Sequence, residues 1–160
     1  MPVFAGHVHK SGADALGMMF GAVGVGALIG ALFLAQRKNI IGLGRVIVAA
    51  TLLFGIGLIF FTLVDRFWLS LLLLAAVGCG WMVLIAASNT ALQTLAENPM
   101  RGRVMSIYML AFRGGMPLGS LASGYLATFI EPPVVIGING ILLVVVAAYF
   151  MVRSHGIREI

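Results

Sequence analysis

Residues 89–124 read NTALQTLAENPMRGRVMSIYMLAFRGGMPLGSLASG. An amide pair, Asn89 and Gln93, closes one apolar run, and Arg101 and Arg103 flank the turn that follows. Arg113 then stands well inside the next apolar run, with Gly114, Gly115, Pro117 and Gly119 just beyond it. A water-soluble core is not built this way. A basic turn between two apolar helices, one bearing amides and the other a deep arginine, belongs to a membrane bundle.

Composition agrees with this reading. Of the 160 residues, 61% are hydrophobic and 9% charged, whereas soluble domains carry roughly 25% charged residues. Too little charge is present to cover a surface that faces water. Several apolar runs also exceed the roughly 18 residues that mark a spanning helix. The expected fold is all-α and transmembrane, with five spanning helices plus an N-terminal stub. The net charge of +5 does not point to nucleic acid, because the basic residues fall singly or in pairs at the ends of apolar runs and form no basic face. The single Cys79 excludes a disulfide framework within the chain. No charged n-region opens the sequence, so no cleaved signal peptide is expected.

Outward from the quoted stretch, residues 1–160 read as one transmembrane domain. A stub covers 1–10, and spans fall at about 13–36, 46–64, 68–96, 103–130 and 134–152, with a polar tail at 153–160. Ser11 and Asp14 have the spacing of a capping box at the start of the first span. In that span Gly17, Gly21 and Gly24 share one face while Gly26 and Gly30 share nearly the opposite one. Both faces have the small-residue spacing that lets helix backbones approach closely in lipid. The third span is longer than a bilayer requires, which implies tilt or projection into the cytoplasm. Glu131-Pro132-Pro133 is expected to turn the chain between the fourth and fifth spans, since a proline pair cannot continue a helix.

The positive-inside rule sets the orientation. Arg37, Lys38, Arg45, Arg101, Arg103, Arg153 and Arg158 gather on one side, against Lys10 and Arg66 on the other. The expected topology, in a cell (inner) membrane, therefore has the N-terminus outside and the C-terminus in the cytoplasm.

The polar groups inside the spans are the candidates for chemistry. Asn89 and Gln93, one turn apart, have two readings: hydrogen bonding between helices, or lining a polar cavity or its cytoplasmic gate. Arg113 lies about 15 Å from the start of its span at the usual helical rise. A charge at that depth costs at least roughly 2.5–3.5 kcal/mol unless it faces the bundle interior or water. Ser106, Pro117, Ser120 and Gly124 fall on the same stripe, so Arg113, Ser106 and Ser120 join the amides as cavity or gate candidates. The alternative for Arg113 is a structural charge bonded to backbone carbonyls. Pro117 with Gly114 and Gly115 marks an expected helix bend. No carboxylate lies inside any span, so a membrane-embedded proton carrier is not found here. His7 and His9 have no further ligand near them, and no metal or cofactor is expected. The serines and Cys79 have no acid–base partner at membrane depth, so the chain is not read as an enzyme.

Three sets of residues carry a family resemblance. They are Pro2-Val-Phe-Ala; Gly30-Ala-Leu-Phe-Leu-Ala-Gln-Arg37 with Arg45; and the ordered series Asn89-x-x-x-Gln93, Arg101-Gly-Arg103-Val-Met-Ser106 and Gly114-Gly-Met-Pro117-Leu-Gly119. In these the chain resembles the C-terminal half of a major facilitator superfamily transporter, in the enterobactin-exporter-like branch of drug and siderophore efflux proteins. The loop after Gln36 departs from the family in lacking the acidic residue of its basic-loop motif. The resemblance implies efflux of small amphipathic molecules by alternating access between two six-helix halves. It also implies that this chain is incomplete, with an N-terminal half as its partner. The alternative is a non-transporting membrane subunit whose glycine faces dock the helices of a larger complex.

Overall fold

A computed structural model describes residues 12–37 and 42–153. The stub, Ser11 of the capping box, the histidine pair, Lys38 and the tail beyond Arg153 lie outside the described residues. Five α-helices and no strands occur among those described: α1 Gly12–Ala35, α2 Leu43–Leu63, α3 Phe67–Leu95, α4 Arg101–Leu126 and α5 Pro132–Arg153. Each stands where a span was expected. Four of them, α1, α2, α3 and α5, are long and apolar enough to cross a membrane. The fourth in order, α4, has the length but is more polar, because Arg113, three serines, Pro117 and several glycines dilute its aliphatic residues.

Two boundaries differ from the sequence expectation. Pro132 is the first residue of α5 instead of part of the turn before it. A first-turn N–H has no partner inside its own helix, so a proline there loses nothing, and its fixed φ already suits the helix. At the other end of the same connection, α4 stops at Leu126 and not near residue 130. There Thr128 and Phe129 donate to the carbonyls three residues back, at 3.2 and 3.0 Å, which tightens the chain out of α-geometry. The start of α2 is held by Gly42, whose φ of 83° is in the left-handed region that glycine enters without penalty.

The helices lock together where glycine removes the side chain between two backbones. On α1, Gly26 lies against the main chain of Ala75, and a Cβ added at Gly30 would come 2.7 Å from the carbonyl oxygen of Cys79. Gly78 of α3 returns the contact against the backbone of Val23. Between α2 and α3, a Cβ at Gly80 would sit 2.9 Å from the carbonyl of Ala50 and 2.9 Å from the nitrogen of Phe54. Gly55 of α2 and Gly140 of α5 are reciprocal, each allowing 2.9 Å between its would-be Cβ and the other's carbonyl oxygen. So α1 packs on α3, α3 on α2, and α2 on α5.

The order of these contacts gives the directions. Residues 26 and 30 meet 75 and 79, so α1 and α3 run parallel. Positions 50 and 57 meet 80 and 77, and 55 and 62 meet 140 and 137, so α2 runs antiparallel to both α3 and α5. One end of the bundle therefore collects the C-termini of α1, α3 and α5 with the N-termini of α2 and α4.

The outer surface is apolar. Phe20, Leu72, Leu110, Leu118, Leu121 and Val152 are all exposed, far more than a water-facing monomer tolerates in contiguous patches. In a bilayer these side chains meet lipid tails. Hydroxyls on the helices bond to their own backbone, as in Thr51 Oγ1 to the Ile47 carbonyl (2.7 Å) and buried Ser70 Oγ to the Arg66 carbonyl (3.1 Å). No buried side-chain polar atom among the described residues lacks a partner. That is what a solvent without hydrogen bonds demands.

Candidate functional site

The candidate residues lie on the last turns of α3 and along α4. Asn89 is half-buried and Gln93 exposed, and they bond to each other: Gln93 Nε2 donates to Asn89 Oδ1 at 3.3 Å. The spacing of one turn that marked them in the sequence is the spacing that lets two side chains on one helix meet. Thr90 and Thr94, exposed beside them, donate to the carbonyls of Ala86 and Thr90 at 2.9 and 2.8 Å. Together they make the C-terminal end of α3 polar on its open side.

On α4 the serines turn inward to their own helix. Ser106 donates to the Gly102 carbonyl at 2.8 Å and Ser120 to the Pro117 carbonyl at 2.9 Å. Pro117 has no N–H to offer the carbonyl of Arg113 four residues earlier, so one helical bond is lost beside the arginine. A Cβ added at Gly114, Gly115, Gly119 or Gly124 would meet nothing within 4 Å. This small-residue face is open.

The expectation for Arg113 is that it faces the bundle interior or water, and in these helices it does not face an interior. No residue of α4 is buried, and Arg113 is exposed, with no hydrogen bond or ion pair among the described residues. The reason is geometric: α4 follows α3 through a short connection and barely touches the other helices, so these five helices give it no interior to face.

The basic residues stand together at one end. Arg37 follows α1, Arg45 lies in the first turn of α2, and Arg101 and Arg103 lie in the first turn of α4, all of them exposed. Arg153 closes α5 at that same end. A cation in a first turn opposes the helix dipole, at a cost of about 0.3–1 kcal/mol in exposed positions. Neither first turn has an acidic residue to compensate. Helix stability does not explain these arginines, whereas a membrane side that favours positive charge does.

Sequence reasoning missed two groupings. Asn139 Nδ2 of α5 makes a long bond, 3.4 Å, to Ser123 Oγ of α4. An amide inside the apolar run from Val134 to Val152 was the signal for it. Phe54, Trp81, Phe112 and Tyr108 form a row of rings across α2, α3 and α4. Their types look aliphatic-equivalent in a hydrophobic pattern, so only the fold brings them out.

Comparison with known proteins gives a consistent set of relatives. A family model described as a transmembrane secretion effector matches residues 1–157. The chain is 31% identical over 108 residues to the uncharacterized MFS-type transporter YcaD of Salmonella enteritidis PT4, covering 66% of this chain and 28% of that protein. It is 26% identical over 160 residues to the enterobactin exporter EntS of Citrobacter koseri, covering 99% of this chain and 38% of that one. YcaD of Salmonella arizonae is 30% identical over 108 residues, with 66% and 28% covered. The chain thus spans less than two fifths of the length of these curated relatives. No solved structure matches it.

Proposed function

This chain belongs to the transmembrane secretion effector family of major facilitator transporters, and from that premise we propose that it is part of an efflux permease for small amphipathic molecules. The family is one of transporters and not of enzymes, and the chain is a multi-pass membrane protein whose surroundings are the lipid bilayer. In the proposed protein, α4 is the fourth of five spans and acts with a further set of helices, an N-terminal half, to carry substrate from the cytoplasm outward by alternating access. Arg113, Asn89, Gln93, Ser106 and Ser120 face the cavity or its cytoplasmic gate. Pro117, Gly114 and Gly115 supply a bend. Arg37, Lys38, Arg45, Arg101 and Arg103 hold the cytoplasmic face of an inner membrane, with the N-terminus outside.

One observation carries this reading. Arg113, Ser106 and Ser120 are exposed on α4, and Gln93 is exposed at the end of α3, while α1, α2, α3 and α5 close on one another through glycine. A deep arginine on an open helix needs a polar surrounding, and a substrate path between two halves supplies one. The open Gly17, Gly21 and Gly24 on α1 favour a second reading, a non-transporting subunit that docks other helices.

The test is to express the chain alone and joined to helices that match the rest of its relatives, and to measure dye or siderophore efflux. Efflux is expected only from the joined protein, and Arg113→Ala is expected to reduce it at least tenfold with membrane expression intact. Efflux from the chain alone would remove the need for a second half. Full efflux in the Arg113→Ala protein would take Arg113 out of the path, and absence of efflux from every joined protein favours the docking subunit.

A further inference from the structure

The two tryptophans of this chain occupy different places along one helix. Trp68 opens α3 next to Phe67, 78% exposed, where tryptophan commonly anchors a span at the membrane interface. Trp81 stands at the middle of Phe67–Leu95, about 21 Å from either end at the usual rise. Interface anchoring does not account for an indole at that depth.

Around Trp81 the fold assembles a row of rings. Phe54 of α2 lies 5.3 Å away, centroid to centroid, with its plane tilted by 51°. On the other side Phe112 of α4 lies at 6.1 Å and 32°, and Tyr108, one turn earlier, stacks on Phe112 at 6.1 Å and 23°. All four side chains are half-buried. Trp81, Phe112 and Tyr108 thus present three rings in planes that turn only gradually, along the seam where α3 meets α4.

Two of these rings have polar edges. Neither the Trp81 indole N–H nor the Tyr108 hydroxyl has a hydrogen-bond partner among the described residues, and neither is sealed from the surface. Tryptophan and tyrosine usually satisfy these groups when they leave water. Hydrocarbon offers no acceptor, so against bare lipid both groups would remain costly orphans. Packing α4 against α3 would need ring area alone, and leucine or phenylalanine provides that without unpaired donors.

We infer that Trp81, Phe112 and Tyr108, backed by Phe54, form a binding wall for a planar aromatic ring bearing an oxygen acceptor. The ring lies against the row at the centroid separations of about 4.5–7 Å that aromatic pairs prefer, and its oxygen accepts from the indole or the phenol. The ligand's onward movement rests on the transporter reading above, but its binding does not, so the two can fail separately.

The test uses fluorescence of the full chain in phosphatidylcholine vesicles. With two tryptophans in the chain, Trp68→Phe leaves Trp81 as the sole reporter, and Trp81→Phe leaves Trp68 as a monitor of simple partitioning. The probes are 4-bromophenol and 4-bromocyclohexanol, each carrying a quenching bromine and a hydroxyl, one planar and the other saturated. Trp81 quenching by 4-bromophenol is expected to saturate, with a half-saturation at least about fivefold below that of 4-bromocyclohexanol, in line with the strength of ring stacking. Trp68 is expected to respond to both probes alike and without saturation. Adding Tyr108→Phe, which keeps the ring, is expected to raise the half-saturation about threefold, and Tyr108→Leu about tenfold. Equal, unsaturable quenching of Trp81 by both probes would overturn the wall, as would a half-saturation that neither Tyr108 variant moves. Saturable binding here together with failed efflux from the joined protein would leave the wall standing and discard the transport reading alone.

Discussion

Glycine has opposite surroundings in two regions of this molecule. In α1, α2, α3 and α5, Gly26, Gly30, Gly55, Gly78, Gly80 and Gly140 each let one backbone touch another, and a single added carbon would collide with a carbonyl. In α4, Gly102, Gly114, Gly115, Gly119 and Gly124 face open space. Lipid is as apolar as leucine, so burial of apolar area does not draw spanning helices together; close van der Waals contact does. The first group therefore provides the attraction that holds four helices. The second group leaves α4 smooth, attached through the ring contact of Trp81 with Phe112 and the bond from Asn139 to Ser123. An open face is idle in these five helices, and it fits a helix that meets further partners in the proposed permease.

Substitution can break or sharpen this contrast. The largest effect is expected for Gly26→Val, which forces side-chain atoms onto the main chain of Ala75. Overpacking of this kind costs about 1–3 kcal/mol or more, and the thermal midpoint of the purified chain in detergent should fall clearly. An unchanged midpoint would mean that α1 and α3 are not held by this contact. A smaller loss is expected for Asn139→Ala, about 0.6 kcal/mol, the average of interhelical hydrogen bonds in membranes. A double-mutant cycle with Ser123→Ala should return most of that as coupling energy; additive losses would show that the two side chains do not interact. The smallest effect is expected for Gly119→Ala. With no neighbour to strike, it should be neutral or stabilise the helix by up to about 1 kcal/mol, the difference in helix propensity. A drop like that of Gly26→Val would show that the α4 face is packed after all. The same substitution lowering efflux in the joined protein, while sparing the chain alone, would identify that face as one that meets the second half.

Much of the fold was legible in the sequence because hydropathy and charge act residue by residue. Long apolar runs with so few charges have no stable state in water, and their only satisfied backbone in lipid is helical. The five helices and their limits within a few residues follow from this, as does the gathering of Arg37, Arg45, Arg101 and Arg103 at one end. The proline pair was harder to place, since a residue that ends one helix is also fit to begin the next. Among candidate site residues, Asn89 and Gln93 could be paired from their spacing, because the helix itself brings them together.

What depends on neighbours was not legible. The first span shows two glycine faces of equal merit, and the structure uses Gly26 and Gly30 while leaving Gly17, Gly21 and Gly24 open. The choice belongs to α3, whose Ala75, Cys79 and Gly78 offer the matching groove. Arg113 is the clearest case. Its depth along α4 follows from counting residues, but what surrounds it depends on which helices close over α4, and these five do not. The sequence by itself determined an all-helical membrane chain with a polar, basic segment from Asn89 to Gly124. Only the tertiary structure decided which faces bind, which stay open, and that Trp81, Phe112 and Tyr108 stand in one row, because packing is a property of pairs of surfaces and not of single residues.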